Sequence, residues 1–185
     1  MSQLMTATRI VGLPVVDLAT SQVHGTVREI LYHPYEGALM AFSLSDTGFF
    51  GRKLRTYVPV DQVSAIGRDA VMIADDTALV EPSTHPLPDL DHPEQSNVIG
   101  ANVMTTDGVH LGRVVDLVVM VGGDGTVVGY RIHTEEGRAS YIPLPTQISV
   151  SGTNLVVPSD LRDFVRDDLV GLGAAVDAFR DRVGI

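Results

Sequence analysis

The stretch that decides the fold is Ile10 to Leu44, IVGLPVVDLATSQVHGTVREILYHPYEGALMAFSL, because it occurs again from Val98 to Ile132 as VIGANVMTTDGVHLGRVVDLVVMVGGDGTVVGYRI. Gly12 aligns with Gly100, Val15 with Val103, Gly25 with Gly112, Val27 with Val114, Glu29 with Asp116 and Gly37 with Gly125. Past a loop of unequal length, Arg-Thr-Tyr-Val-Pro (55–59) matches Ala-Ser-Tyr-Ile-Pro (139–143), and Gln-Val-Ser (62–64) matches Gln-Ile-Ser (147–149). Each copy closes on a short apolar run, Ala70 to Ala74 and Leu155 to Val157. Matches in one order over this length establish an internal duplication, the first feature to seek when reading a fold.

Each copy reads as short strands separated by turn residues. In the first, Pro14 to Asp17, Thr26 to Tyr32, Ala38 to Ser45 and Arg55 to Val58 are extended, with one or two short strands after them. Asp107-Gly108 and Asp124-Gly125 supply the positive-φ pairs that tight turns require. Short strands at even spacing predict a mostly β chain, with two small antiparallel β-barrels in tandem. Closing each sheet would remove its exposed edges. The segments assigned are 9–75 for the first β domain, 76–96 for a linker, 97–158 for the second and 159–185 for a C-terminal α-helix. The linker carries Pro82, Pro86, Pro88 and Pro93 among acidic residues, a composition that favours a semi-rigid extended chain. After Val157 the period changes. Ser159 or Asp160 can cap a helix whose apolar stripe is Val165, Leu169, Leu172, Val176, Phe179 and Val183. Gly171 and Gly173 weaken that helix, so it has to pack, either on its own barrels or on a second copy as a homodimer contact.

The order Ile-Gly-x-x-Val, Gly-x-Val-x-Glu/Asp, Gly turn, apolar strand and Tyr-Val/Ile-Pro resembles the PRC-barrel family, whose type example is the cytoplasmic domain of the photosynthetic reaction-centre H subunit. A related barrel forms the C-terminal half of a bacterial ribosome maturation factor. The resemblance implies compact β-barrels that serve as adaptor or assembly modules binding other proteins. No membrane-spanning helix and no separate domain are read ahead of the first copy, so neither of those two roles is expected here. A shared scaffold does not fix function.

Composition bounds the chemistry. The formal net charge of -10 opposes phosphate backbones, so no nucleic acid is expected as partner despite the local Arg52, Lys53 and Arg55. The chain has no Cys, which excludes disulfides, thiolate catalysis and Cys-ligated zinc. No apolar run approaches the roughly 18 residues that a membrane span needs, and no signal peptide is read, so a cytoplasmic location is expected.

Candidate chemistry is sparse. His24 and His110 precede the matched glycines but lack a metal-ligand spacing, and His85 and His92 lie in the linker. Glu29 and Asp116 form the best carboxylate pair, yet each falls where a strand would place an outward polar residue. Gly171-Leu-Gly173 and Gly123-Asp-Gly125 are incomplete as dinucleotide loops. No catalytic residue, cofactor or metal is assigned, and the chain is read as not an enzyme. The candidate interaction residues are Phe49 and Phe50, adjacent rings between glycines at a loop tip, together with the stripe Val165, Leu169, Leu172, Val176 and Phe179. The function expected is a non-catalytic adaptor or scaffold for another protein. The alternative is a small-ligand or metal sensor with its site in the cleft between barrels. At physiological salt the chain should show no appreciable binding to random RNA in a filter or anisotropy titration. A dissociation constant on the order of a micromolar that weakens steeply with added salt would contradict this reading.

Overall fold

The computed structural model describes residues 3–32, 38–46, 53–81, 98–122, 125–145, 149–151 and 153–183. Among the described residues there are thirteen strands and one α-helix, and twelve of the strands fall in the chain order set by the duplication. The first unit contributes β2 (Pro14–Asp17), β3 (Val23–Tyr32), β4 (Leu39–Ser45), β5 (Lys53–Pro59), β6 (Val63–Ile66) and β7 (Val71–Ile73). Their order in the sheet is β5-β4-β3-β2-β7-β6. The second unit contributes β8 (Asn102–Thr105), β9 (His110–Val121), β10 (Val127–His133), β11 (Ala139–Pro143), β12 (Ser149–Ser151) and β13 (Asn154–Val157). Their order, β11-β10-β9-β8-β13-β12, is the same path. The paired glycines explain part of this identity. Gly25 and Gly112 have φ of 144° and 142°, and a Cβ on Gly112 would lie 2.4 Å from the His133 carbonyl oxygen. No other residue type fits there.

Two details depart from a pair of closed antiparallel barrels. In each unit the last strand returns alongside the first in parallel, β7 on β2 and β13 on β8. The rest of the unit supplies the long crossover such a pair needs. Among the described residues no ladder joins β5 to β6 or β11 to β12, so each sheet is an open, coiled path. Pro59 lacks an N–H, and the chain turns the corner after it through a 3-10 turn at Val60–Gln62.

The sequence reading assigned no element to the N-terminal residues, but β1 (Gln3–Thr6) is a strand, and it belongs to the second sheet. It pairs antiparallel with β9, from Gln3 opposite Val121 to Thr6 opposite Val118. The hairpin between β9 and β10 reaches the other way. The Gly122 N–H donates to the Ile66 carbonyl at 2.9 Å, and Gly125 sits against Ile66, Leu39 and Val60. One hydrophobic core therefore runs through both units, joining Ile10, Phe42 and Ile73 to Val103, Tyr130 and Leu155.

The single helix expected over 159–185 is interrupted. Ser159–Phe164 is a 3-10 helix, and Val165 is extended at φ -62° and ψ 132°. Arg166 then bridges Tyr141 through both backbone groups, at 2.7 and 2.9 Å. The α-helix α1 (Leu169–Val183) starts only after this bridge. Its cap is Asp168, which accepts the Gly171 N–H at 2.6 Å, and not Ser159 or Asp160. Leu172 and Val176 bury against Val118 and Val128 of the second sheet, with Leu4 packed beside them. Phe179 meets Phe164 edge-on at 5.2 Å between ring centroids. Full burial of each such side chain contributes about 1.5–3 kcal/mol on the transfer scale.

The two glycine contacts predict opposite outcomes. A Cβ on Gly173 would meet only Leu4 Cδ1, at 3.9 Å, so Gly173→Ala should stabilise the fold by about 0.5–1 kcal/mol through helix propensity. Gly125 has φ of 85°, and its Cβ would lie 2.7 Å from Ile66 Cδ1. Gly125→Ala should therefore cost about 2 kcal/mol or more. Denaturant titrations check both; a Gly125→Ala variant as stable as the parent would show that the hairpin does not dock on the first unit.

Candidate functional site

The duplication brings equivalent side chains face to face where the units meet. Val11 and Ile99 hold the same position in the two copies, as do Ile30 of β3 and Leu117 of β9. With Tyr32 and Val115 they line a cavity of about 160 Å³. Ala7 and Thr8, of the 3-10 turn Ala7–Arg9 that follows β1, complete the wall with Asp116. The cavity is thus lined from both units. Val11, 45% exposed, stands at its rim.

The carboxylates Glu29 and Asp116 share a repeat position but not a setting. Glu29 is exposed, with Arg28 Nε at 3.9 Å and the Ser43 hydroxyl donating at 3.4 Å. Asp116 is 4% exposed. Its Oδ1 accepts the N–H of Leu117 at 2.9 Å and that of Thr8 at 3.2 Å, and its Oδ2 accepts the Thr8 hydroxyl. It fastens the N-terminal segment to the second unit.

The two histidines are separated by function as well. His24 Nε2 lies 2.6 Å from Asp17 Oδ2, whereas His110 Nδ1 lies 3.0 Å from the exposed Glu135. Asp17 closes the loop after β2 by accepting both the backbone N–H and the hydroxyl of Thr20. The second unit does this job with Thr105, whose hydroxyl accepts the Val109 N–H at 2.9 Å. Among the described residues no group of three or more His, Asp and Glu side chains gathers to hold a metal. The buried Tyr130 hydroxyl has no hydrogen-bond partner among the described residues, and burial pushes its pKa up. It stands in the core and not on the cavity wall.

Of the sequence candidates, Phe49, Phe50 and Arg52 lie outside the described residues, as do His85 and His92. Leu172, Val176 and Phe179 are buried by the chain's own second unit, and Val165 and Leu169 are half-buried beside them. Val170, off the stripe, is a large apolar residue of the helix that projects, at 86% exposure. A second cavity, about 140 Å³, lies between Val176, Phe179 and Arg180 of α1 and Val128 and Pro143 of the sheet. Sequence reasoning missed the Thr8–Asp116 brace because its partners stand far apart in the chain. The one available signal was the change from Glu29 to Asp116, a shorter acid suited to a tighter place.

The sequence profile of the PRC-barrel domain matches this chain twice, over residues 3–80 and 93–162. The chain belongs to that family, as a tandem pair. Comparison with curated proteins finds no match. No helix among the described residues is long and apolar enough to cross a membrane.

The Asp17 cluster gives a pH signature. The His24 ring, then the Thr20 N–H and hydroxyl, hold the Asp17 carboxyl at about 2 against an ordinary value of 3.8, while burial opposes them. A depressed native pKa stabilises the fold fully above the unfolded value and progressively less as pH falls through the native one. Thermal stability should therefore drop between about pH 4 and pH 2, and Asp17→Asn should flatten that part of the profile. Equal acid loss in parent and variant would show that the pairing contributes nothing.

Proposed function

We propose that this chain, a PRC-barrel unit built twice and braced into one body, is a non-catalytic adaptor or scaffold that holds another protein in the cytoplasm. The observation that carries this reading is the fusion of the two units, since β1 and the β9–β10 hairpin each reach into the neighbouring unit. Their surfaces keep a fixed relation, which is what an assembly module needs and what a flexible tandem would not supply. The buried acids support it too, because Asp17 holds the loop after β2 and Asp116 holds the turn after β1. PRC-barrel domains as a family are often involved in protein–protein interaction.

We place the surface for that partner away from the helix stripe. Leu172, Val176 and Phe179 are already buried, so a homodimer seam built on them would first require α1 to leave the second sheet. Phe49 and Phe50 remain the anchor we favour, because aromatic side chains dominate interface energetics. The second reading, a sensor for a small ligand between the units, is favoured by the cavity that residues of both units line.

Affinity capture with the intact chain, then titration of the purified partner, tests the adaptor reading. Phe49→Ala with Phe50→Ala should weaken partner binding at least about tenfold, which is about 1.4 kcal/mol, and leave the melting temperature unchanged. A large loss of stability in that variant would place the rings in the core, and recovery of no protein in near-stoichiometric amount would sink the adaptor reading.

A further inference from the structure

Asp116 presents an electrostatic problem that the brace does not solve. It is 4% exposed, and among the described residues no Lys, Arg or His stands within ion-pair distance of it. Removing a carboxylate from water without a cation is costly, even where hydrogen bonds satisfy part of its capacity. Here the donors are two backbone N–H groups and one hydroxyl. A carboxylate offers about four lone-pair sites, so acceptor capacity remains. Around it the cavity wall is mostly hydrocarbon, from Val11, Ile30, Val115 and Leu117, with Thr8 and Tyr32 adding the hydroxyl-bearing side chains.

We propose that this cavity takes an alkylammonium group, the side chain of a lysine on a protein partner, with the ammonium on Asp116 and the stem against Val11, Ile30, Val115 and Leu117. An ammonium is a compact charge with three rotatable donors and suits one carboxylate. A guanidinium carries five donors in a flat fork, and a wall of hydrocarbon leaves most of them unmet. A neutral apolar group would fill the space but leave the buried charge uncompensated. Lysine buries its stem along apolar surface while its head seeks polar ground. The half-exposed Val11 puts the mouth of the cavity at the surface, and the net charge of -10 favours the approach of basic partners. The protein source of the amine rests on the adaptor reading; the site itself does not.

The test uses the full chain, isotopically labelled, and two pairs of probes followed by amide chemical shifts. n-Butylamine is set against n-butanol, and Nα-acetyl-lysine methylamide against its norleucine counterpart. Saturable shifts at Thr8, Val11, Asp116 and Leu117 are expected with both amines, and affinities about tenfold weaker or worse with both neutral probes. Asp116→Asn should abolish the preference for amine over alcohol. Because that change also alters the bonds to Thr8 and Leu117, Val11→Trp serves as a second variant, blocking the mouth from an exposed position. Alcohol binding equal to amine, shifts centred elsewhere, or undiminished binding in Val11→Trp would each overturn the site. Binding of butylamine without the lysine derivative would overturn the protein source. Lysine binding in a chain that captures no partner would leave the site standing and remove only the adaptor reading.

Discussion

The pairing of Gln3–Thr6 with Val118–Val121 is the interaction on which the rest of the structure depends. A strand at the start of the first unit completes the sheet of the second, so neither unit has its full set of contacts alone. Consequences follow along both neighbours. Met5 enters the shared core, Leu4 meets the helix, and Thr8 is carried to Asp116. Asp116 is buried because the turn after β1 covers it, and the cavity beside it exists because that turn, β3 and β9 converge without filling the space. A short strand is weak by itself; it is held by the ladder, the core and the brace acting together.

The helix follows from the same geometry. β9 is buried without a break from Asp116 to Val119, which requires cover on both faces. The common core covers one face and α1 the other. The start of α1 is set by the repeat. Tyr141 takes the backbone of Arg166 as Tyr57 takes that of Val80, with N–H to carbonyl bonds in both directions in each case. Each unit thus ends in a 3-10 turn and a bridge to its own Tyr, and α1 can begin only after the second bridge.

Much of this was legible in the sequence, for identifiable reasons. That both units repeat one succession of strands could be inferred because matched glycines and Tyr-Val/Ile-Pro segments mark turns and strands that only certain residues permit, as at Gly25 and Gly112. The stripe Leu172, Val176 and Phe179 named the buried face of the helix correctly because period is a local property. What could not be read depends on distant partners. Gln-Leu-Met-Thr is too short to signal a strand, and its mate lies at the far end of the chain. Ser159 to Val165 has helical periodicity, but the pull on Arg166 comes from Tyr141. The parallel return strands and the open sheets are likewise set by where the chain comes back and not by residue type.

Duplication followed by divergence also explains where chemistry could arise. At positions where the copies kept the same role, the residues kept the same constraint, as with the glycines at equal φ. Where the settings differ, the residues differ in kind: exposed Glu29 against buried Asp116, and Asp17 with His24 against Thr105 with Val109. Asp17 is buried too, but His24 and Thr20 meet its charge. Among the described residues no Lys, Arg or His stands within ion-pair distance of Asp116, although the same repeat position in the first unit keeps its acid in water beside Arg28. The burial of Asp116 follows from the reach of β1 into the second sheet, so the brace that makes the two units one body also creates the uncompensated carboxylate in the cleft between them.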